Sequence, residues 1–393
     1  MKQKIKRILK VNRFLYIIYG LIGSLAINLL KIFVRTDQKM ILFVSYGGKK
    51  YDDSPKAIFE YISNSKKYKD YKCVWAFEDI NKLHLQGAEI VKIDSIKYYI
   101  TVLKAKYWVS NTSVKRGLNF TKQDSVYLNT WHGTPIKKLG HDINNNSKAF
   151  KSIGNYDDVD IMLAQSNYEV EIFSRAFLIP KEKFLICGLP RNDELVHASA
   201  VDKNTIKHKM GIKNSKKIIL YAPTFRDDDR DKEYSNFIAP PIDLKKWKDL
   251  LGHDYILMIR AHHEVSKILG LETVDDFVVN VSDYQNLNDL MIISDLLISD
   301  YSSIFFDYSI LNKPMICFAY DYEKYKNERG MYLNLEEELP GEIYTNEDQL
   351  INAIRTLDYE AAGKETEEFK NKYIEKSGNA TEIATRNFLE YKK

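Results

Sequence analysis

Short apolar runs, each stopping at a glycine, proline or polar turn, recur along this chain with helix-like stretches between them. In the first half they lie at 40–46 (MILFVSY), 73–77, 89–93, 107–110, 125–130, 160–164 and 184–187. A second series follows at 217–221, 255–259, 277–281, 296–299 and 314–319. Strands that alternate with helices build parallel, doubly wound sheets, and two such series imply two of them. Ser54 and Pro55 read as the cap and first position of a helix. Further helices are expected at 95–105, 242–251 and 284–293, near Ile304, and two or three times after Asn346. The polar stretch 226–241 reads as a long surface loop. The expected organisation is α/β, with a basic apolar segment at 1–37, a first domain at 38–200, and a second at 201–393 that carries terminal helices.

Charge is unevenly placed. Of the 58 basic residues, eight fall within residues 1–36, where no acidic residue occurs, so the net +4 belongs to that end. The body lacks the basic excess of a nucleic-acid-binding surface, and no nucleic-acid partner is expected. Six of those eight cations precede an uncharged run at 14–30, and Lys31 and Arg35 follow it. Seventeen uncharged residues reach only the lower edge of a bilayer span. Three readings are open: a monotopic or interfacial helix on an anionic cytoplasmic leaflet, which the flanking cations favour, a single spanning helix, and a soluble helix packed on the body. Cys73, Cys187 and Cys317 are far apart, odd in number and set in apolar runs, as expected of reduced, buried thiols in a cytosolic compartment.

The stretch 126–140 (VYLNTWHGTPIKKLG) offers the most chemistry. An apolar run climbs to Trp131 and His132, breaks at Gly133, and continues through Thr134 and Pro135 to Lys137 and Lys138. A strand ending in such a turn puts its last side chains at the carboxyl edge of the sheet, where open α/β sheets bind ligands. His132 is a candidate base, beside a hydroxyl, exposed amides and cations suited to an anion. Taken alone, the turn fits a buried structural histidine equally well. At 188–193 (GLPRND) a tight turn aims one cation, Arg191. In the second half, Pro223 and Thr224, then Arg260, Ala261 and His262, then Ser302 and Ser303 stand at successive strand ends, with Asp307 in the helix that follows. A guanidinium that forks onto phosphate oxygens, hydroxyls and helix-start amides describe a metal-independent diphosphate site. His262 and His263 with Asp283 or Asp300 suggest a metal instead, but adjacent strand residues point in opposed directions and suit one ion poorly.

These runs, together with 221–227 (YAPTFRD) and 299–307 (SDYSSIFFD), resemble the CDP-glycerol glycerophosphotransferase family, the teichoic acid primases and polymerases. The resemblance covers about residues 43–340, with the motifs in order. It implies a glycosyltransferase B fold of two facing Rossmann-like domains, no cofactor, and action at the cytoplasmic face of the cell membrane. It implies transfer of glycerol or ribitol phosphate from CDP-glycerol or CDP-ribitol to an undecaprenyl-diphosphate-linked saccharide acceptor, with release of CMP. Carried over by position, His132 is the general base, while Arg260 and His262 stabilise the diphosphate. Trp131, Gly133, Thr134, Pro135, Arg191, Pro223, Thr224, Ala261, Ser302, Ser303 and Asp307 line the CDP-alditol site. The two donors share one cytidine diphosphate head, so these motifs fit both. The tail departs from the family's aspartate-glycine pair with Ser377 and Gly378. Two competing readings are a nucleotide-sugar glycosyltransferase of the same fold, which breaks C–O rather than P–O, and a non-catalytic scaffold.

Overall fold

The computed structural model describes residues 13–80, 85–120, 122–143, 156–212, 215–224, 240–271 and 276–393. The chain forms two compact units. The first comprises Met1–His132, Ser152–Arg191 and Asn379–Lys393, and the second Gly133–Lys151 and Asn192–Gly378.

The first unit is built on seven strands: β1 (Asp37–Val44), β2 (Lys72–Phe77), β3 (Ala88–Lys92), β4 (Ala105–Ser110), β5 (Val126–Asn129), β6 (Ile161–Ala164) and β7 (Phe184–Ile186). They lie in the order β3-β2-β1-β4-β5-β6-β7, every pair parallel. The unbroken apolar runs of β1, β4 and β5 have their cause here, because helices cover both faces of a parallel sheet. Phe43 stacks on Trp75 at 5.4 Å, Trp75 stacks on Phe77 at 5.6 Å, and Phe59 meets Trp75 edge-on at 5.8 Å. This aromatic block fixes the helix Asp53–Asn64 on the sheet.

That helix is capped by Asp52, whose carboxylate accepts from the Asp53 amide at 2.8 Å, and not by Ser54 as its pairing with Pro55 suggested. Ser54 is buried instead, and its Oγ accepts from the Arg191 amide at 3.4 Å. The second domain was expected to run on to residue 393, but the last helix, Ala380–Leu389, packs on the first sheet. Phe388 meets Tyr107 edge-on at 5.1 Å, and the Tyr107 hydroxyl donates to the Leu389 carbonyl at 3.2 Å. An apolar helix does not declare from its own sequence which sheet it will cover.

The second unit has six strands: β8 (Lys217–Tyr221), β9 (Tyr255–Ile259), β10 (Val278–Asn280), β11 (Leu296–Ser299), β12 (Met315–Phe318) and β13 (Ile343–Tyr344). Their order is β10-β9-β8-β11-β12-β13, again all parallel. Two residues long, β13 is too short to register as an apolar run, and sequence reasoning missed it. The helix Leu244–Leu251 is anchored by Trp247, which is buried and donates from Nε1 to Glu347 at 2.9 Å. Most of the expected 226–241 loop lies outside the described residues.

The N-terminal helix Arg13–Lys31 lies against the first unit. Its Asn28 amide donates to the Asn119 carbonyl at 3.1 Å, the Asn119 amide donates to Ser24 Oγ at 2.8 Å, and Ile27 is buried. Its other face exposes Ile17, Leu21, Ile22, Leu25 and Leu29, followed by Ile32 and Phe33. Among the described residues no helix is long and apolar enough to cross a membrane. The first five cations of the chain lie outside the described residues.

Candidate active site

Strand order reverses between β1 and β4 in the first sheet and between β8 and β11 in the second. Chains leaving the sheet there diverge to opposite faces and open a crevice at the carboxyl ends of the strands, the preferred ligand position of this fold.

In the first unit that crevice holds His132, one strand over, after β5. Trp131 adopts a left-handed backbone (φ 50°), and its amide donates to Asn129 Oδ1 at 2.9 Å. The indole stacks on the imidazole with ring centroids 4.1 Å apart and is itself wedged against Phe177 at 4.6 Å. His132 Nδ1 lies 2.8 Å from the carbonyl oxygen of Asn111, just past β4. A carbonyl only accepts, so Nδ1 carries the proton and Nε2 is left as the basic nitrogen. Burial draws the His132 pKa below the ordinary histidine value, against the raising effects of the Asn111 carbonyl and the Asp53 charge. The ring is therefore neutral at physiological pH and competent to take a proton.

Around it stands a buried polar network that sequence reasoning did not assign. Asn111 Oδ1 accepts from the Tyr46 amide at 2.8 Å, and its Nδ2 donates to Asp53 Oδ2 at 3.1 Å. The Tyr46 hydroxyl donates to the same Asp53 oxygen at 2.6 Å. Arg191, expected in the donor site, donates from a guanidinium nitrogen to Asp53 Oδ1 at 3.0 Å. Burial pushes the Asp53 carboxyl up, but the Arg191 charge, the Tyr46 hydroxyl and the Ser54 amide together carry it below the usual carboxylate value. Tyr46 and Asp53, like Trp131, are non-glycine residues at positive φ (46° and 66°). Such conformations cost about 1–3 kcal/mol each and persist only where surrounding contacts impose them. The signal available in the sequence was the Gly-rich loop after β1 with its Asp52-Asp53 pair; nothing marked Asn111.

In the second unit, β9, β8 and β11 are neighbours, so their carboxyl ends bring Arg260-Ala261-His262, Pro223-Thr224 and Ser302-Ser303 to one edge. Asp300 ties two of these ends together: its Oδ1 accepts from the Thr224 amide at 2.9 Å and from the Tyr301 amide at 2.7 Å. This carboxylate holds the two loop starts together. Arg260 is braced by the carbonyls of Val281 (3.3 Å) and Tyr284 (2.5 Å). The Ala261 amide donates to Ser282 Oγ at 3.2 Å, and the His262 side chain is exposed. Ser302 Oγ accepts from the Ile304 amide at 3.3 Å, at the start of the helix Ile304–Ser309. Asp307 is buried and accepts from Asn192 Nδ2 at 2.8 Å. Gly133, Thr134 and Pro135 are buried in this unit, on a segment anchored by the Lys138 amide to the Gly330 carbonyl and by the Tyr332 amide to the Ile136 carbonyl.

Two doubly wound parallel sheets with polar side chains gathered at their carboxyl edges are the architecture of nucleotide-using enzymes. Comparison with known proteins agrees and narrows the class. The family model described as CDP-glycerol:poly(glycerophosphate) glycerophosphotransferase matches residues 26–387. The chain is 39% identical over 332 residues to the teichoic acid poly(glycerol phosphate) polymerase of Staphylococcus epidermidis, which covers 81% of this chain and 46% of that one. It thus spans about half the length of that polymerase. It is 36% identical over 354 residues to the teichoic acid glycerol-phosphate transferase of Staphylococcus aureus, covering 86% and 87% of the two chains. The solved structure of the wall teichoic acid polymerase TagF superposes with a TM-score of 0.81 at 35% identity, over 90% of this chain and 89% of that one. The chain belongs to the CDP-glycerol:poly(glycerophosphate) glycerophosphotransferase family.

Proposed function

We propose that this chain transfers glycerol phosphate from CDP-glycerol to a hydroxyl of a teichoic acid acceptor carried on undecaprenyl diphosphate, at the cytoplasmic face of the membrane. The acceptor oxygen attacks the phosphorus that bears glycerol. The P–O bond to the cytidine-bearing phosphate breaks, and CMP leaves with the bridging oxygen. His132 Nε2 takes the acceptor proton. Arg260 and His262, with Thr134, Thr224, Ser302 and Ser303, meet the diphosphate and the charge that grows on its oxygens. Pro223, Ala261, Gly133 and Pro135 shape that surface, and Trp131 fixes the plane of the base. CDP-glycerol is favoured over CDP-ribitol because the S. aureus relative spanned nearly end to end is named for glycerol phosphate. The fold assignment that goes with this reading is the glycosyltransferase B class.

The observation that carries the reading is the His132 ring, held by Nδ1 on the Asn111 carbonyl, which leaves Nε2 as its base nitrogen. The experiment is CMP release by the purified chain from CDP-glycerol and from CDP-ribitol, each with a lipid-linked acceptor analogue. Release from CDP-glycerol with glycerol phosphate added to the acceptor supports it. Release of a nucleoside diphosphate instead would overturn it. The helix Arg13–Lys31 is the interfacial element in this reading. Its inner face is pinned to the first unit and its outer face is apolar, flanked by cations suited to anionic lipid.

A further inference from the structure

We propose that Asp53, acting through Asn111 and Tyr46, is a positioning residue for the base: it locks the His132 tautomer and, opposed by Arg191, sets the charge environment in which the ring takes its proton. This rests on the reading of His132 as the base. The geometry is a connected set of hydrogen bonds that meet at Asp53. The Asn111 carbonyl that holds His132 Nδ1 is part of a backbone that cannot move freely, because the same residue's side chain is fixed at both ends. Oδ1 is held by the Tyr46 amide and Nδ2 by Asp53. Asp53 also accepts from the Tyr46 hydroxyl and from Arg191, and its Oδ1 caps the Ser54 amide at 2.6 Å. Asn111 is fully buried, and Tyr46 and Asp53 take left-handed backbones that these bonds impose. A site that needed only a stable sheet edge has no use for a buried carboxylate in a strained conformation one residue away from a catalytic ring.

The charged groups acting on the ring are Asp53 and Arg191, with opposite signs. Tyr46, whose ring lies 5.9 Å from the imidazole, stays neutral, since burial and the Asp53 charge push its hydroxyl well above the ordinary tyrosine range. The two charged partners must therefore move the titration of His132 in opposite directions. Removing the Asp53 charge disfavours the imidazolium and lowers the histidine pKa. Removing the Arg191 charge raises it.

The experiment is the pH dependence of kcat/KM for CMP release from CDP-glycerol, with the His132 ring nitrogens followed by 15N NMR, in the full chain and in D53N, R191Q and Y46F. The expected result has three parts. The acid limb moves to lower pH in D53N and to higher pH in R191Q. The Nδ1–H form dominates in the parent and is mixed with the Nε2–H form in D53N. Y46F loses several-fold in kcat with KM for CDP-glycerol unchanged. Parallel shifts in D53N and R191Q, or an unmixed tautomer in D53N, would overturn the proposal. If D53N does not fold, the R191Q limb and the Y46F tautomer decide it alone: an unmoved limb and an unchanged tautomer overturn it. The parent reading fails separately, when H132A keeps turnover whatever the other variants do.

Discussion

The first six strands of the first unit follow the same order as the six of the second, and the polar groups named at the two carboxyl edges are held differently. In the first, the His132 ring is surrounded by side chains that bond to one another: Asp53 alone receives Tyr46, Asn111 and Arg191. In the second, the polar side chains are braced by backbone groups, Arg260 on two carbonyls and Asp300 on two amides. A general base needs one tautomer, one orientation and a tuned pKa, and a buried charge network supplies all three. A diphosphate needs several donors at a common edge, and it supplies the compensating charge itself when it binds. The first unit is thus expected to be stiff and sensitive to charge, the second tolerant to single changes and most responsive to ligand.

The largest effect that follows is on turnover. His132→Ala is expected to lower kcat by about 10²–10⁴-fold, the usual range for a positioned acid–base group, with CDP-glycerol affinity kept in calorimetry. Loss of affinity instead would move His132 into the donor site and erase the contrast. Arg260→Ala is expected to do the reverse, weakening CDP-glycerol binding by roughly 10–100-fold through lost charge-assisted hydrogen bonds, again read by calorimetry.

Stability is expected to differ as well. Arg191→Ala strands a buried carboxylate and should cost about 3–5 kcal/mol in denaturant unfolding of the first unit. Because the folded Asp53 pKa lies below its unfolded value, its contribution is complete above the unfolded carboxylate value and fades as pH falls below about 4 toward the folded one. An acid titration of the unfolding midpoint checks this, and D53N should flatten it. The smallest effect on soluble-acceptor turnover is expected from Leu25→Glu combined with Leu29→Glu on the exposed face of the N-terminal helix. That pair should leave CMP release unchanged and reduce co-sedimentation with anionic phospholipid vesicles.

The gathering of the second unit's candidate residues at one sheet edge was legible in the sequence, because they are contiguous with strand ends. Pro223-Thr224, Arg260-Ala261-His262 and Ser302-Ser303 each follow an apolar run directly, and adjacency of β9, β8 and β11 does the rest. In the first unit His132, Trp131 and Arg191 could be read that way, but not the groups around them. The groups that hold the ring arrive from the loop after β1, the turn after β4 and the turn after β7. Nothing local to Tyr46, Asn111 or Arg191 says that all three converge on Asp53. Arg191 shows the limit most clearly: a cation after a glycine turn reads as a phosphate ligand, and which carboxylate lies opposite is a tertiary fact. The placement of Ala380–Leu389 on the first sheet, and the two-residue β13, escaped for the same reason, since packing partners and not periodicity decide them.

The most direct test of the account is a paired measurement on His132→Ala and the parent chain: CMP release from CDP-glycerol with a lipid-linked acceptor, alongside the dissociation constant for CDP-glycerol. The account predicts that CMP release collapses while the dissociation constant stays where it was. Undiminished CMP release by the variant would contradict it.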